Sequence, residues 1–473
     1  MVQASWKRTC GPGTRLASVA CGELSTLWAQ AMSVGRNTLW VFVSNLLSLV
    51  LTIGTSIFLT RALGVQGRGE FALFTASAGV LALLLGWGLD SAIRYFVAQK
   101  KVDFSAVAAT LGAYLAVLGP VLLLLVHWNH TLLGNELLIP SSIQTTPVEV
   151  LLVATVLANI GFSAVSSMLA GTMDFKPLNI LSIALSFASF VTYGLCWTAK
   201  ELGWFHVTPP LILAAHLTLA VSNLVILGLI VRHRLEIRLP SPLVKRATLA
   251  RMVRYGSLAY LATLLQFFNY RVDYWIVQHF RGEEALGLYS LASSLAMMLW
   301  MLPRAAASVL LPATAAGHLG ATAAHAARMS RVSVAVGTAV AVPLVPFASW
   351  WIALLYGEDF AESARPFVIL LAGCIPFIAS IVLASSLAGI NRLDINLWAS
   401  GAGLIATVVL DILLIPSWGL EGAAAASATS YLVTTGIVVM SFSRMHDIPV
   451  HAYLIPNRSD FGYLADGFRR VLR

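Results

Sequence analysis

Charge is what this sequence lacks most. Asp, Glu, Lys and Arg make up 11% of its 473 residues, where a soluble protein carries about 25%. That deficit excludes an aqueous globular domain as the main body of the chain. What fills the space is hydrophobic side chains, 58% of the total. They fall into twelve apolar runs of about 20 residues, the length that crosses a bilayer core. The runs lie near 38–60, 71–93, 105–127, 148–171, 178–199, 211–231, 254–280, 286–310, 332–355, 366–390, 396–416 and 420–442. In lipid each is expected to be a helix, because only a helix satisfies its own backbone polar groups.

Cysteine is also scarce. Cys10, Cys21, Cys196 and Cys374 show no metal-ligand or redox spacing, so no metal or redox site is expected. No signal peptide is expected in the first 31 residues, since the apolar stretch Leu16–Cys21 is too short for one. Met32, directly before the first run, is a candidate start.

The net charge of +9 does not point to nucleic acid, because its distribution follows the membrane. With the N-terminus cytoplasmic, 23 of the 30 Lys and Arg lie inside, 2 (Arg271 and Arg304) within the membrane and 5 outside: Arg61, Arg68, Lys200, Arg281 and Arg365. This is the positive-inside pattern, and it puts both termini in the cytoplasm. The expected organisation is a tail over 1–37, a six-helix half over 38–231, a basic linker over 232–253, a second half over 254–442 and a tail over 443–473. In that last tail Phe461, Leu464, Phe468 and Leu472 recur at helical spacing beside basic residues, as in a membrane-surface helix. The basic excess also suits contact with anionic membrane lipids.

Two segments betray a duplication. Residues 61–78 (RALGVQGRGEFALFTASA) match 279–296 (HFRGEEALGLYSLASSLA) at an offset of 218, pairing Gly64 with Gly282 and Gly69 with Gly287. The same offset pairs Ser167, Leu169, Ala170 and Gly171 with Ser385, Leu387, Ala388 and Gly389. The fold class is therefore an all-α integral membrane protein of twelve helices in two pseudo-symmetric six-helix halves, a common transporter design.

Polar groups inside the runs are the candidate functional residues, because a charge at bilayer depth costs roughly 3 kcal/mol or more without a partner or water. In run seven Gln266, Asn269, Tyr270 and Asp273 share one helical face. Ser48, Thr52 and Thr55 form a polar stripe on run one, in register with Gln266, Tyr270 and Asp273. The two stripes are expected to face each other or a shared wet cavity between the halves, the alternative being plain helix packing. Arg271, near the midplane, projects about 160° from Asp273. It is suited to bidentate phosphate binding or to an ion pair with a neighbouring helix. Asp90 and Arg94, at i and i+4, read as a local ion pair, with a gate or substrate contact as the alternative. Arg304 reads as snorkelling to the interface or as a ligand contact. Asp411 either couples an ion or reaches outer water.

Three stretches, TRALGVQGRGEFALF (Thr60–Phe74), NYRVDYWIVQHFRGEEALGLYSLA (Asn269–Ala292) and LDILLIPSWGLEGAAAAS (Leu410–Ser427), resemble bacterial polysaccharide flippases. These exporters of O-antigen and exopolysaccharide units belong to the multidrug/oligosaccharidyl-lipid/polysaccharide exporter superfamily. The resemblance covers about residues 36 to 445. It departs at Asp411, where the family often has Asn, and at Ser417 and Trp418, where a basic residue is common. It implies a bacterial inner-membrane flippase, not an enzyme, for polyprenyl-pyrophosphate-linked oligosaccharide, working by alternating access about a cationic cavity. It also implies a coupling cation (H⁺ or Na⁺) and polysaccharide polymerase machinery as partners. A pyrophosphate taken out of water needs fixed positive charge. Arg271 is the best placed candidate, then Arg94 and Arg304, with Gln266, Asn269 and Tyr270 as hydrogen-bonding groups and Asp273 as an orienting or cation-binding group.

Two other functions compete. A drug/cation antiporter of the same superfamily needs a buried carboxylate pocket, and the first half offers little. A membrane-embedded polysaccharide polymerase needs acid/base groups near one interface. The longest outer loop, Trp128–Pro147, and its flanks offer Glu136, Glu149, His127 and His130, with no basic residue to hold a pyrophosphate.

Overall fold

The computed structural model describes residues 15–99, 101–133, 138–172, 176–204, 206–301, 303–304, 307, 319–457 and 460. The surface helix expected over Ser459–Arg473 lies outside these residues except for Asp460. The described chain forms helices α1 (Arg15–Gly86), α2 (Leu89–Ala98), α3 (Phe104–Leu133), α4 (Thr146–Gly171), α5 (Lys176–Glu201) and α6 (Pro209–Arg234). They are followed by α7 (Arg246–Met298), α8 (Leu319–Ala341), α9 (Ala348–Tyr356), α10 (Ala364–Gly389), α11 (Leu393–His446) and α12 (His451–Leu454). No strand occurs among the described residues.

These helices carry the twelve apolar runs, differently punctuated. Run one and most of run two are continuous in α1, run seven and the first part of run eight in α7, and runs eleven and twelve in α11. Each long helix turns at one glycine of positive φ: Gly64 (φ 73°), Gly282 (φ 82°) and Gly419 (φ 60°). Run nine bends by 81° between α8 and α9. Run two was expected to be unbroken over 71–93. It stops instead at Trp87 (φ 44°) and Gly88 (φ 65°), and α2 carries its end. The basic linker is also shorter than 232–253, since α7 already begins at Arg246. Its extended part lies along α3, with Arg238 N donating to Ser105 Oγ and Val244 N to Thr110 Oγ1.

A helix that stops inside an apolar environment leaves carbonyls in need of donors. Three of the basic residues assigned to outer loops supply them. Lys200 Nζ donates to Arg61 O and Ala62 O (3.1 and 2.8 Å), just before Gly64. Arg281 donates to Ile415 O and Pro416 O, just before Gly419. Arg61 reaches from α1 to Leu354 O and Leu355 O at the end of α9 (2.6 and 2.7 Å). A cation there also meets the negative end of the helix dipole. Beyond α11, Arg331 Nε on α8 donates to the buried Asp460 carboxyl at 2.9 Å, which holds that carboxyl below its ordinary range and pins the segment after α12 against α8.

The halves meet along α1 and α7. A Cβ at Gly69 would lie 2.0 Å from Glu283 O, and a Cβ at Gly287 would lie 2.0 Å from Val65 O. Glu283 stands at the 218 offset from Val65, so the contact is one arrangement made twice. A second approach closes the other end: a Cβ on Gly88 would lie 2.4 Å from Gly256 O, and one on Gly256 would lie 2.6 Å from Gly88 O. There Trp87 Nε1 donates to Ser257 Oγ at 2.9 Å and its ring stacks on Tyr260.

These approaches leave no room for a methyl group. Gly69→Ala and Gly287→Ala are each expected to destabilise the protein by about 1–3 kcal/mol through overpacking. Gly112→Ala on α3, whose Cβ meets nothing within 4 Å, is expected to be neutral or stabilising. Thermal unfolding of the three variants in one detergent checks this.

Candidate functional site

Helix α7 presents two opposite faces to two different environments. Phe267, Arg271 and Tyr274, spaced i, i+4 and i+7, line a cavity of about 330 Å³ between α1 and α7. Across it stand Arg68, Phe71, Ala72, Thr75 and Ala76 of α1. Ser290 and Ser294, from the part of α7 after Gly282, complete the wall.

Two guanidinium groups therefore share one small cavity. Arg271 donates to the Tyr274 hydroxyl and lies over its ring, 4.7 Å from the centroid. Tyr274 Oη is 2.8 Å from Ser293 Oγ, so a short chain of hydroxyls orients the guanidinium. Arg68 exposes 7% of its surface, and its buried Nε has no hydrogen-bond partner. Among the described residues no carboxylate forms an ion pair with either arginine. Two cations facing one space with no carboxylate bonded to either attract a multivalent anion.

Arg68 was expected in an outer loop. The helix resumes directly after Gly64, so Arg68 sits one turn inside and its side chain enters the cavity. The sequence carried the signal: Arg68, Ala72 and Thr75 recur at helical spacing once the second helix of the pair is started at Val65.

The polar stripe of α7 is turned the other way, a correction to the expected shared cavity. Gln266 Oε1 accepts from Ser400 Oγ at 2.9 Å. Asn269 Oδ1 accepts from Thr407 Oγ1 (3.1 Å) and Ser430 Oγ (2.8 Å), all three residues being buried. Asp273 Oδ2 accepts from Tyr289 Oη at 2.6 Å and from Ser427 Oγ at 3.2 Å. Tyr270 packs with Trp300, Phe377 and Tyr431. The stripe thus faces α11, which offers small hydroxyl side chains at matching heights. A polar face finds its donors there, and the cavity receives the opposite face.

Asp411 lies on the same inner side. Of its two expectations, ion coupling or contact with outer water, burial goes against the second: its relative exposure is 0% and neither carboxylate oxygen has a hydrogen-bond partner. It is within electrostatic reach of Asp273. The stripe on α1 does not meet that of α7 either. Thr52 Oγ1 and Thr55 Oγ1 donate to Ser48 O and Leu51 O of their own helix, and none of Ser48, Thr52 and Thr55 lines the cavity. Asp90 and Arg94 share α2 without forming the expected ion pair, and Arg94 is exposed. Arg304 is exposed too and stands apart from the cavity.

Comparison with known proteins bears on this arrangement. The family model "Polysaccharide biosynthesis protein" matches residues 34–318. The probable low-salt glycan biosynthesis flippase Agl15 of Haloferax volcanii is 20% identical over 414 residues, 85% of this chain and 82% of that protein. Among solved structures, the lipid II flippase MurJ in an inward closed conformation superposes with a TM-score of 0.64 at 13% identity, covering 88% of this chain and 89% of its own. An inward-facing multidrug resistance MATE transporter of the MOP superfamily gives 0.63 at 16% identity, covering 85% and 94%. At such identities these two likenesses speak for the fold.

Tyr289 supplies the shortest hydrogen bond to the Asp273 carboxyl. Removing it by Tyr289→Phe leaves a buried acceptor short of a donor and is expected to cost about 1–3 kcal/mol. A lowered unfolding temperature in detergent, with unchanged secondary structure by circular dichroism, is the expected result.

Proposed function

This chain belongs to the polysaccharide biosynthesis protein family, and from that premise we propose that it moves a polyprenyl-pyrophosphate-linked oligosaccharide across the membrane, with Arg68 and Arg271 receiving the pyrophosphate. The observation that carries this reading is the pair of guanidiniums in one cavity, neither bonded to a carboxylate among the described residues. A pyrophosphate entering an apolar interior loses its water and needs charge-assisted hydrogen bonds in return. Arginine presents donors in a fixed fork that fits phosphate oxygens. Ser290 and Ser294, on the same wall, provide hydroxyls for phosphate or sugar oxygens. The relatives named above include a glycan biosynthesis flippase and a lipid II flippase, which agrees with a lipid-linked glycan as cargo.

In this reading the halves, 38–231 and 254–442, rock about the contact of α1 with α7, so that the cavity opens to one side at a time. In the same reading the membrane is a bacterial inner membrane and both termini lie in the cytoplasm, which the excess of Lys and Arg on that side supports. The carboxyls Asp273 and Asp411 serve as the seat of the coupling cation, H⁺ or Na⁺. Two buried carboxylates near each other do not both stay ionised without a cation or a proton. Ser427 and Tyr289 already hold one oxygen of the Asp273 carboxyl by hydrogen bonds. A drug/cation antiporter is the less favoured reading, because a cavity lined by two cations repels the organic cations that such a transporter exports.

Arg271→Ala and Arg68→Ala are each expected to cut surface polysaccharide about tenfold or more, the cost of one charge-assisted bond to phosphate, at unchanged protein level. Lipid-linked units accumulate on the cytoplasmic side, whereas loss of a polymerase leaves single units exported. Wild-type polysaccharide in both variants overturns the assignment. Asp411→Asn is expected to abolish the dependence of transport on the ion gradient in proteoliposomes while leaving cargo binding intact; an unchanged dependence removes Asp411 from coupling.

A further inference from the structure

Beside the Gly69–Gly287 approach, Glu70 of α1 and Glu283 of α7 meet across the seam between the halves. Ser142, in the 3-10 turn Ser141–Ile143, places its hydroxyl oxygen 2.8 Å from Glu70 Oε1 and 2.8 Å from Glu283 Oε1. Gln66 Nε2 bridges the same pair, 3.1 Å from Glu70 Oε1 and 3.2 Å from Glu283 Oε2. A hydroxyl carries a single proton and donates to one acceptor. Only one of the two carboxyls receives that proton at a time, and protonation of either carboxyl supplies the second bond. Independently, Glu70 exposes 3% of its surface and its Oε2 is buried without a partner, a costly place for an ionised oxygen.

We propose that Glu70 and Glu283 form a proton-binding site in the seam, where one shared proton holds the two halves together and its loss drives them apart. This goes beyond the cargo reading and does not depend on it. With the proton present, the pair carries one negative charge, and Gln66 and Ser142 supply donors from both sides. Without it, two carboxylates face each other across a contact whose backbones already touch, and repulsion favours separation.

The surrounding charges do not replace the proton. On α1, Arg68 turns into the central cavity and Arg61 is committed to the α9 carbonyls. On α7, Arg281 is committed to Ile415 O and Pro416 O, while Glu284 and His279 are exposed. On α4, Glu149 bonds His127. The 3-10 turn Glu358–Ser363, packed on α1 and α7, adds only the acids Glu358, Asp359 and Glu362, and α9 adds Tyr356. Glu136 lies outside the described residues. Among the described residues no Lys, Arg or His pairs with Glu70 or Glu283. The closed seam binds one more proton than the open one, in which each carboxyl meets water. Rising pH therefore favours opening, and falling pH favours closure.

The test is a distance across the seam. Leu202, at the end of α5, and Trp418, beside the Gly419 break, are exposed at this end of the two halves. Each is replaced by Cys in the full chain after its four native cysteines are changed to Ala, spin-labelled and studied by pulsed electron paramagnetic resonance in nanodiscs between about pH 5 and 9. With Glu70 and Glu283 intact, a short-distance population is expected to give way to a longer one as pH rises. Glu70→Gln and Glu283→Gln are expected to keep the short distance throughout, because the amide still donates to Ser142 and carries no charge. A distribution that ignores pH in the chain with both acids overturns the proposal, as does the same pH-driven change in the Gln variants. Should the buried Glu70→Gln fail to fold, the part-exposed Glu283→Gln decides alone.

Discussion

Every interruption of a helix in an apolar environment must be repaired locally, and this requirement organises the molecule. The turns at Gly64, Gly282 and Gly419 bring consecutive helices back against each other. Two of these turns leave carbonyl ends that a cation from another helix covers: Lys200 for α1 and Arg281 for α11. Arg61 does the same for α9 and in doing so ties the first half to the second. The few basic residues at this end of the bundle are thus largely committed to the backbone. That commitment is why Arg68 and Arg271, which cap nothing, stand out as the cations free to meet an anion.

The two faces of α7 separate two kinds of polar chemistry that would otherwise cancel. Arg271 points into the cavity with Arg68, while Asp273 points into the second half towards Asp411, Tyr289 and Ser427. Two residues apart in sequence, they lie on nearly opposite sides of the helix. A salt bridge between them would neutralise the cavity and fill the carboxyl site at once. In the proposed function, holding them apart keeps the cations available to a phosphate and the carboxyls to a small cation, and one helix links the two. Movement of α7 is then felt by both.

The seam between α1 and α7 is built for contact without side chains. Glycines at 69, 287, 88 and 256 let backbones touch at both ends of the cavity. Such contacts have little lateral interlock, which suits the rocking of the halves in the proposed function. The specificity of the seam then comes from a few polar groups beside it: Gln66, Glu70, Ser142 and Glu283 at one end, Trp87 and Ser257 at the other. Asymmetry between these two sets gives each end its own chemistry although the backbone arrangement is shared.

The sequence by itself determined the solvent, the helical class, the duplication and the glycine pairs, because bilayer length, hydropathy and a constant offset are local or periodic properties of the chain. It also singled out Arg271 and Asp273 and the angle between them, since helix geometry is known in advance. Only the tertiary structure decided which face of α7 meets α1 and which meets α11, because both neighbours are apolar helices whose hydroxyl side chains are unremarkable in sequence. For the same reason Arg68 read as a loop residue, and Asp411 stayed open between ion coupling and outer water. A glycine that ends one helix and begins the next moves its neighbours from the membrane boundary into the interior, and that depends on the turn angle rather than on the identity of the residues around it.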